Sequence, residues 1–176
     1  MPLPIAHGLV GASVVAAICP PPMARRYFAL LLIGAFLANC PDLDFFLVVV
    51  LRSRSWHRGF SHSFAFAFLI SSLFFVFSGR RYIKEAIACS LAFASHGVLD
   101  YITTKEGGGV ELLWPFNSER LALGWFGLSE LPSRLPVTEI LKAIVIEFAI
   151  FTPILLALLL LRKMLASRVR SLAEEI

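Results

Sequence analysis

The segment YIKEAIACSLAFASHGVLDYIT, residues 82–103, is long and apolar enough to cross a membrane as a single helix. About 20 residues cover the ~30 Å hydrocarbon core of a bilayer, and in lipid the backbone must satisfy its own hydrogen bonds. On such a helix His96 and Asp100 have i,i+4 spacing, so both side chains point to one face, within reach of one metal ion. The alternative is a hydrogen-bonded structural pair, which is disfavoured because ionisable groups are costly at membrane depth.

Four further apolar segments lie on either side of this one, at residues 3–19, 27–51, 60–78 and 137–161. The chain of 176 residues is 58% hydrophobic and 16% charged, and its mean hydropathy is +0.79. Soluble domains are about 45–50% apolar and about 25% charged. The sequence therefore predicts an all-α integral membrane protein, a bundle of about five transmembrane helices with one long polar loop.

Prolines and polar stretches divide these segments. Pro20-Pro21-Pro22 ends the first segment, which is the shortest and could be a tilted or re-entrant helix; it lacks the basic n-region of a signal peptide and is expected to be retained. The polar loop covers residues 105–136, a length that is often functional. We expect one transmembrane domain, residues 1–161, and a basic tail, residues 162–176, that forms a short surface helix.

The distribution of charge favours a lipid partner. The net charge is only +4, and no basic face is interleaved with aromatic residues, so nucleic acid is not an expected partner. With five spans, one membrane side carries more Lys and Arg, and the positive-inside rule places that side and the C-terminus in the cytoplasm. Its members are Arg25, Arg26, Arg80, Arg81, Lys84, Arg162, Lys163, Arg168 and Arg170. The three cysteines form no CxxC pair, so neither a cysteine zinc site nor a disulfide framework is expected.

Histidine and aspartate occur only in four short clusters within this apolar chain. Imidazole and carboxylate are the main nitrogen and oxygen ligands of zinc and related metals. With alternating spans, all four clusters fall toward one membrane face, predicted to be the outer one, so they are expected to meet in one site. Their members are His7, Asp42, Asp44, His57, His62, His96 and Asp100. His7 is the least certain, because a lone histidine is more often structural.

The first of two motifs around these residues is Pro41-Asp42-Leu43-Asp44. Together with Asn39, Pro41 predicts a broken or kinked helix, which lets both carboxylates approach one pocket. The alternative is a polar turn at a helix end.

The three-glycine run that begins at Gly107 is not a phosphate-binding loop, because the strand, lysine and spacing are absent.

The second motif, HRGFSHS at residues 57–63, places two possible metal ligands around a cation. Gly59 allows a tight turn, Ser61 is predicted to cap the following helix, and Arg58 can grip a phosphate through its planar fork. The alternative is a basic loop at the membrane interface.

Trp114-Pro115-Phe116 is predicted to be an interfacial anchor, with a loop packed over the site as the alternative. Glu111 and Glu119 are expected to be solvated, although either could contribute to chemistry.

These motifs in this order resemble the membrane-bound metal-dependent hydrolase family, also described as LexA-binding, inner-membrane-associated hydrolases. The resemblance covers about residues 1–120, and it implies hydrolysis and an inner-membrane location. Ser61 stands where many members are expected to carry threonine. The order His7, Asp42, His57, His96, Asp100 is also distantly similar to zinc-dependent phospholipase C and the P1-type nucleases. Those enzymes bind three zinc ions, but here no histidine or aspartate follows Asp100, so one or two ions are expected, with Asp100 as a possible bridge.

The resulting prediction is a membrane-embedded hydrolase that uses one or two divalent ions, preferably zinc, to attack a phosphoester of a lipid or lipid-linked substrate. All seven clustered residues are candidate metal ligands. Asp44, Arg58 and His62 are the candidate catalytic residues: a spare carboxylate orients a ligand or acts as general base, and Arg58 neutralises phosphate charge. The alternatives are a metal or proton transporter and a membrane scaffold that docks a soluble protein partner.

Overall fold

The computed structural model describes residues 2–19, 24–105, 108–125 and 137–174. The prolines at 20–22, Gly107, the Leu131-Pro132 part of the loop and the end of the tail lie outside these ranges. Within them the chain forms six α-helices: α1 (Pro4–Ile18), α2 (Ala24–Leu37), α3 (Phe45–Leu51), α4 (Phe64–Ser78), α5 (Ile83–Thr103) and α6 (Val137–Glu174). Short 3₁₀ turns occupy Cys40–Asp44, Arg54–Trp56, Phe60–His62 and Arg80–Tyr82. The predicted all-α membrane class is confirmed.

The helices provide two to four candidate membrane spans in the described ranges. Arg80–Thr103 and Val137–Arg168 are each long and apolar enough to cross a bilayer. Two bent pairs qualify if each is one span: Arg25–Leu37 with Cys40–Leu51, bent by 42°, and Arg54–His62 with Phe64–Phe77, bent by 52°. The first of the five predicted segments forms α1, which has 15 residues and is shorter than a full span.

Helix α1 lies at the centre of the packing and contacts α2, α5 and α6. Small residues let the helix backbones approach closely, which is how helices associate where lipid supplies no hydrophobic drive. Gly11 of α1 faces Gly34 of α2 so closely that a Cβ at Gly11 would overlap the Gly34 carbonyl. Val15, Cys19 and Ala88 form a small buried cluster nearby. Apolar side chains elsewhere point outward, as expected for a lipid-facing surface; α3, for example, has no buried residue.

The predicted tail continues the last helix instead of forming a separate one. Helix α6 runs without a break through residue 162 to Glu174, and Arg162 Nε donates to the Ala16 carbonyl at 3.1 Å. The described part of the long loop, residues 108–125, folds back on the bundle. Leu112 O accepts from Phe64 N at 3.0 Å, and Leu123 N donates to Tyr101 O at 2.7 Å. The loop is thereby held against the start of α4 and the end of α5.

Candidate metal centre

The predicted break in the second apolar segment builds one side of the site. Helix α2 ends at Leu37, and Cys40–Asp44 forms a 3₁₀ turn that begins with Pro41 near its first position. Asn39 Nδ2 donates back to the Ala35 carbonyl at 2.8 Å. The carbonyl of Ala38, freed at the end of the helix, lies 2.6 Å from Nδ1 of His96. The kink that was predicted at Asn39 and Pro41 is confirmed, and it presents both aspartates to α5 and to the 57–62 turns.

Asp44 organises the segment that carries His57 and His62. Its Oδ1 lies 2.9 Å from His57 Nδ1, and its Oδ2 accepts from Arg58 N at 3.0 Å and from Ser61 Oγ at 2.7 Å. These bonds hold Arg58 in the left-handed region, at φ 60°. A non-glycine residue there is strained, and such strain persists only where the surroundings impose it.

One local prediction in this segment is wrong. Ser63, not Ser61, caps α4: its side chain accepts from Phe66 N at 3.1 Å. Ser61 is instead drawn inward by the Asp44 carboxylate. The cap differs from the prediction because the hydrogen bond from Ser61 to Asp44 across the fold outweighs the local preference of serine for a cap position. Gly59 lies in the predicted tight turn: its N donates to the Trp56 carbonyl at 3.4 Å, and its φ of −87° and ψ of −133° lie outside the main regions for residues with a side chain. The positive φ of the turn is at Arg58.

His62, His96, Asp42 and Asp100 form the core of the site. Each offers one ligand atom, and these atoms all lie within 4.8 Å of one another. The two Nε2 atoms of His62 and His96 are 2.9 Å apart, and Asp42 Oδ1 lies 3.5 Å from the first and 3.4 Å from the second. Asp100 Oδ2 is 3.6 Å from His62 Nε2 and 3.8 Å from His96 Nε2. Two imidazoles and two carboxylates around one point are a donor set that suits zinc.

The hydrogen bonds outside this core fix the histidine tautomers. A carbonyl only accepts, so His96 Nδ1 must carry the proton that it donates to Ala38 O. The Ser61 hydroxyl gives its single proton to Asp44, so His62 Nδ1, 2.9 Å from Ser61 Oγ, must donate to that oxygen. In the neutral state both Nε2 atoms therefore present lone pairs to each other. Such outer hydrogen bonds are typical of histidines that bind metal.

A second, more open group lies beside the first. It consists of Asp42, Asp44 and His57, again with ligand atoms within 4.8 Å of one another. Asp42 belongs to both groups, whereas Asp100, predicted as a possible bridge, belongs to the first group alone. Its side chain is 20% exposed, whereas those of His62, His96 and Asp100 are fully buried. Asp42 is therefore the member of the core that a molecule from outside would meet.

His7 and Arg58 complete the lining of the site. The His7 ring stacks on that of His96, with 3.8 Å between centroids, and its Nε2 lies 3.4 Å from Asp100 Oδ1. It belongs to neither ligand group. Arg58 is buried, and its Nε lies 3.8 Å from Asp100 Oδ2. Of the eleven buried side-chain polar atoms that lack a hydrogen-bond partner within the described ranges, six line the site: both His7 nitrogens, both Asp100 oxygens, Asp42 Oδ1 and Arg58 Nε.

Comparison with known proteins agrees with this membrane architecture. Residues 1–170 match the model of the YdjM inner membrane protein family. The chain belongs to this family. It is also similar to inner membrane protein YbcI of Escherichia coli (strain K12), with 37% identity over 137 residues, 71% of this chain and 74% of the relative. No solved structure matches. The predicted inner-membrane location is thus confirmed, while the hydrolase activity implied by the resemblance stays a prediction.

Two residues of this YdjM-family protein that were not predicted from the sequence shape the contacts of the helices that carry the site. Gly97 lets α5 touch the 60–62 turn, because a Cβ there would overlap the His62 carbonyl. Its position between His96 and Asp100 in a helix was the available signal, since glycine is unfavourable in helix interiors. Glu147 is completely buried in α6 and accepts from the backbone at the start of α1. Its signal was a carboxylate ten residues inside an apolar span, away from the polar loop.

The loop residues singled out in the sequence lie outside both ligand groups. Glu111 pairs with Arg120, with 3.2 Å between Oε1 and Nε, and Glu119 is exposed. Phe116 is 91% exposed, as an interfacial anchor requires. The Trp114 ring packs 5.9 Å from that of Phe60, which precedes the site histidine by two positions. In this stretch Phe116 thus points outward, while the Trp114 ring packs against the segment that carries His62.

Proposed function

We propose that this protein is a metal-dependent hydrolase of the inner membrane that cleaves a phosphoester of a lipid or lipid-linked substrate. The observation that carries the proposal is the pair of Nε2 atoms of His62 and His96, 2.9 Å apart, with both Nδ1 protons committed elsewhere. Two facing lone pairs repel, so a cation must lie at this position or one ring must take up a further proton. Two carboxylates on the same point favour a divalent cation.

The four core residues would hold the first ion, and Asp42, Asp44 and His57 would help to hold a second. When bound, such an ion supplies a water of lowered pKa and polarises the phosphoryl oxygen. The ring nitrogens of His62 are both committed, so we assign this residue to binding instead of proton transfer. Asp44 orients His57 and the 58–61 backbone. Arg58 is left to neutralise the phosphoryl charge, which its guanidinium suits.

The location of the site favours a membrane-borne substrate. Its residues come from the start of α1, the turn after α2, the segment before α4 and the end of α5, all at one end of the bundle. The neighbouring exposed side chains are large and apolar, including Leu43 and Phe46, which are 67% and 70% exposed. A headgroup phosphate carried on lipid tails would reach Asp42 at this depth. A fully aqueous substrate would not gain from such apolar surroundings.

The test is metal content together with hydrolysis. Purified protein in detergent is analysed for bound metals, and then assayed on phospholipids and on a lipid-linked pyrophosphate. We expect one or two zinc equivalents for the native chain, a loss of at least one in His96→Ala and Asp100→Ala, and no loss in the control Glu119→Ala. A native chain without metal would refute the metal centre. Bound metal without turnover, or turnover unchanged in His96→Ala, would refute the hydrolase assignment.

The transporter and scaffold alternatives have separate tests. A transport route needs polar groups through the whole span, whereas the two ligand groups lie at one end of the bundle. Zinc uptake into proteoliposomes that depends on Asp42 would nevertheless favour transport. A soluble partner retained by a variant that lacks both Asp42 and His96 would favour a scaffold whose polar cluster is structural.

A further inference from the structure

A buried carboxylate on the last helix holds the start of the first one. Glu147 in α6 is completely buried, and its two oxygens accept from Leu3 N at 2.5 Å and Ala6 N at 3.1 Å. Its immediate neighbours in sequence, Ile146 and Phe148, are exposed apolar residues. A carboxylate within an apolar span is costly, so its presence calls for a specific role.

The start of α1 explains what the carboxylate does there. The first turn of a helix leaves backbone N–H groups without partners, and a Ser, Thr, Asp or Asn at the N-cap normally accepts from them. The N-cap of α1 is Leu3, which has no side-chain acceptor, and Pro4 follows it. Glu147 supplies side-chain acceptors from another helix to Leu3 N and to Ala6 N, which also donates to the Leu3 carbonyl at 3.1 Å. Its negative charge also lies at the positive end of the α1 dipole.

These two bonds add to the helix packing and to the Arg162–Ala16 bond that hold α1 in place. The buried side of α1 consists largely of the small residues Ala6, Gly11, Ala12, Val15 and Ala16, whose packing contacts are apolar. A carboxylate that grips two defined N–H groups selects one axial position and one rotation.

The residue after Ala6 is His7, which stacks on His96 at 3.8 Å and approaches Asp100 to 3.4 Å. We propose that Glu147 is a positioning residue that sets the register of α1 and thereby holds His7 in the metal centre. The effect of Glu147 on metal binding rests on the proposed metal centre, whereas its contacts with the start of α1 do not. Outer groups that orient metal sites typically change metal affinity by about 10–100-fold when they are removed.

The first test is a double-mutant cycle on zinc affinity. Glu147→Ala removes both acceptors, while Glu147→Gln keeps one carbonyl oxygen and should have an intermediate effect. We expect Glu147→Ala to weaken zinc binding by about tenfold in the native background and to have no further effect in a His7→Ala background. Glu139→Gln is the matched control, an exposed carboxylate on the same helix, paired with Lys142. Additive effects of Glu147→Ala and His7→Ala would overturn the inference.

The second test needs no bound metal. Histidines of the metal-free protein are modified with diethylpyrocarbonate and quantified by peptide mass spectrometry. We expect His7 to be protected in the native chain and to react faster in Glu147→Ala, and to a lesser extent in Glu147→Gln, while His62 and His96 keep their native rates. Unchanged protection of His7 would overturn the inference even if the metal centre is correct. A native chain that binds no zinc but shows this selective exposure would instead reject the metal centre alone.

Discussion

Replacing Gly97 by alanine should damage the site while leaving the fold in place. Gly97 lies on α5 between His96 and Asp100, where a Cβ would come closer than 3.0 Å to the His62 carbonyl oxygen and within 3.4 Å of Leu112 Cδ2. The obstruction is a backbone atom, so a rotamer change cannot relieve it. Either α5 or the Phe60–His62 turn must move.

The expected effect on stability is small because two terms oppose each other. Alanine gains about 1 kcal/mol of helix propensity over glycine. Overpacking of a well-packed contact costs about 1–3 kcal/mol. The free energy of unfolding should therefore fall by about 0–2 kcal/mol. Metal binding should suffer more, because moving the turn pulls His62 Nε2 away from its position 2.9 Å from His96 Nε2. We expect zinc affinity to fall about 10–100-fold, which corresponds to about 1.4–2.8 kcal/mol.

The assay is zinc titration in detergent against a competing chromophoric chelator, with thermal unfolding measured in parallel. Gly8→Ala is the matched control: its Cβ would meet the Asn39 amide nitrogen at 3.3 Å and Ala35 Cβ at 3.7 Å, both of them side-chain atoms. Both variants gain the same helix propensity, so only the steric term differs. Equal zinc affinity in Gly97→Ala, Gly8→Ala and the native chain would refute the reasoning.

Three further predictions follow from the same geometry. Ser63→Ala removes the α4 cap and should lower the free energy of unfolding by about 1 kcal/mol in thermal melts, with zinc affinity unchanged; an unaltered melt would contradict the cap assignment. Ser61→Ala should reduce zinc affinity about tenfold in equilibrium dialysis, because it removes the hydroxyl 2.9 Å from His62 Nδ1 and leaves only the longer 3.3 Å approach of that nitrogen to Asp44 Oδ2; native affinity would show that the hydroxyl is dispensable. Zinc at 100 times its Kd should stabilise the native chain by about 2.7 kcal/mol in thermal melts, reversibly with chelator, whereas a His96→Ala variant that responds equally would place the ion elsewhere.

The sequence was sufficient for the parts of the fold that depend on hydropathy and proline. Apolar runs predicted where the helices begin to within a few residues, although α6 continues to Glu174 instead of ending near residue 161, and Pro41 predicted the broken helix. Alternation of spans also predicted that His7, the 42–44 pair and the 96–100 pair meet at one end. These features follow from local composition and from the length of a bilayer crossing, which a single chain reveals directly.

The sequence could not reveal features that depend on contacts between distant segments. The choice between Ser61 and Ser63 as cap depended on where the Asp44 carboxylate lies, 17 residues before Ser61. The shared position of Asp42 and the tautomers of the two histidines depend on the same tertiary hydrogen bonds. Glu147 lies 144 residues from Leu3, so its role is visible only once α6 is seen to pack against α1.

The placement of Glu147 also has a consequence for how the protein is made. Every candidate ligand lies at or before Asp100, whereas the group that grips the start of α1 is on the last helix. Because synthesis begins at the N-terminus, all the candidate metal ligands have been made before α6 enters the bilayer. We expect His7 to reach its position beside His96 only after α6 has been inserted. Arrested nascent chains that end before residue 137 should consequently capture metal less well than the finished protein.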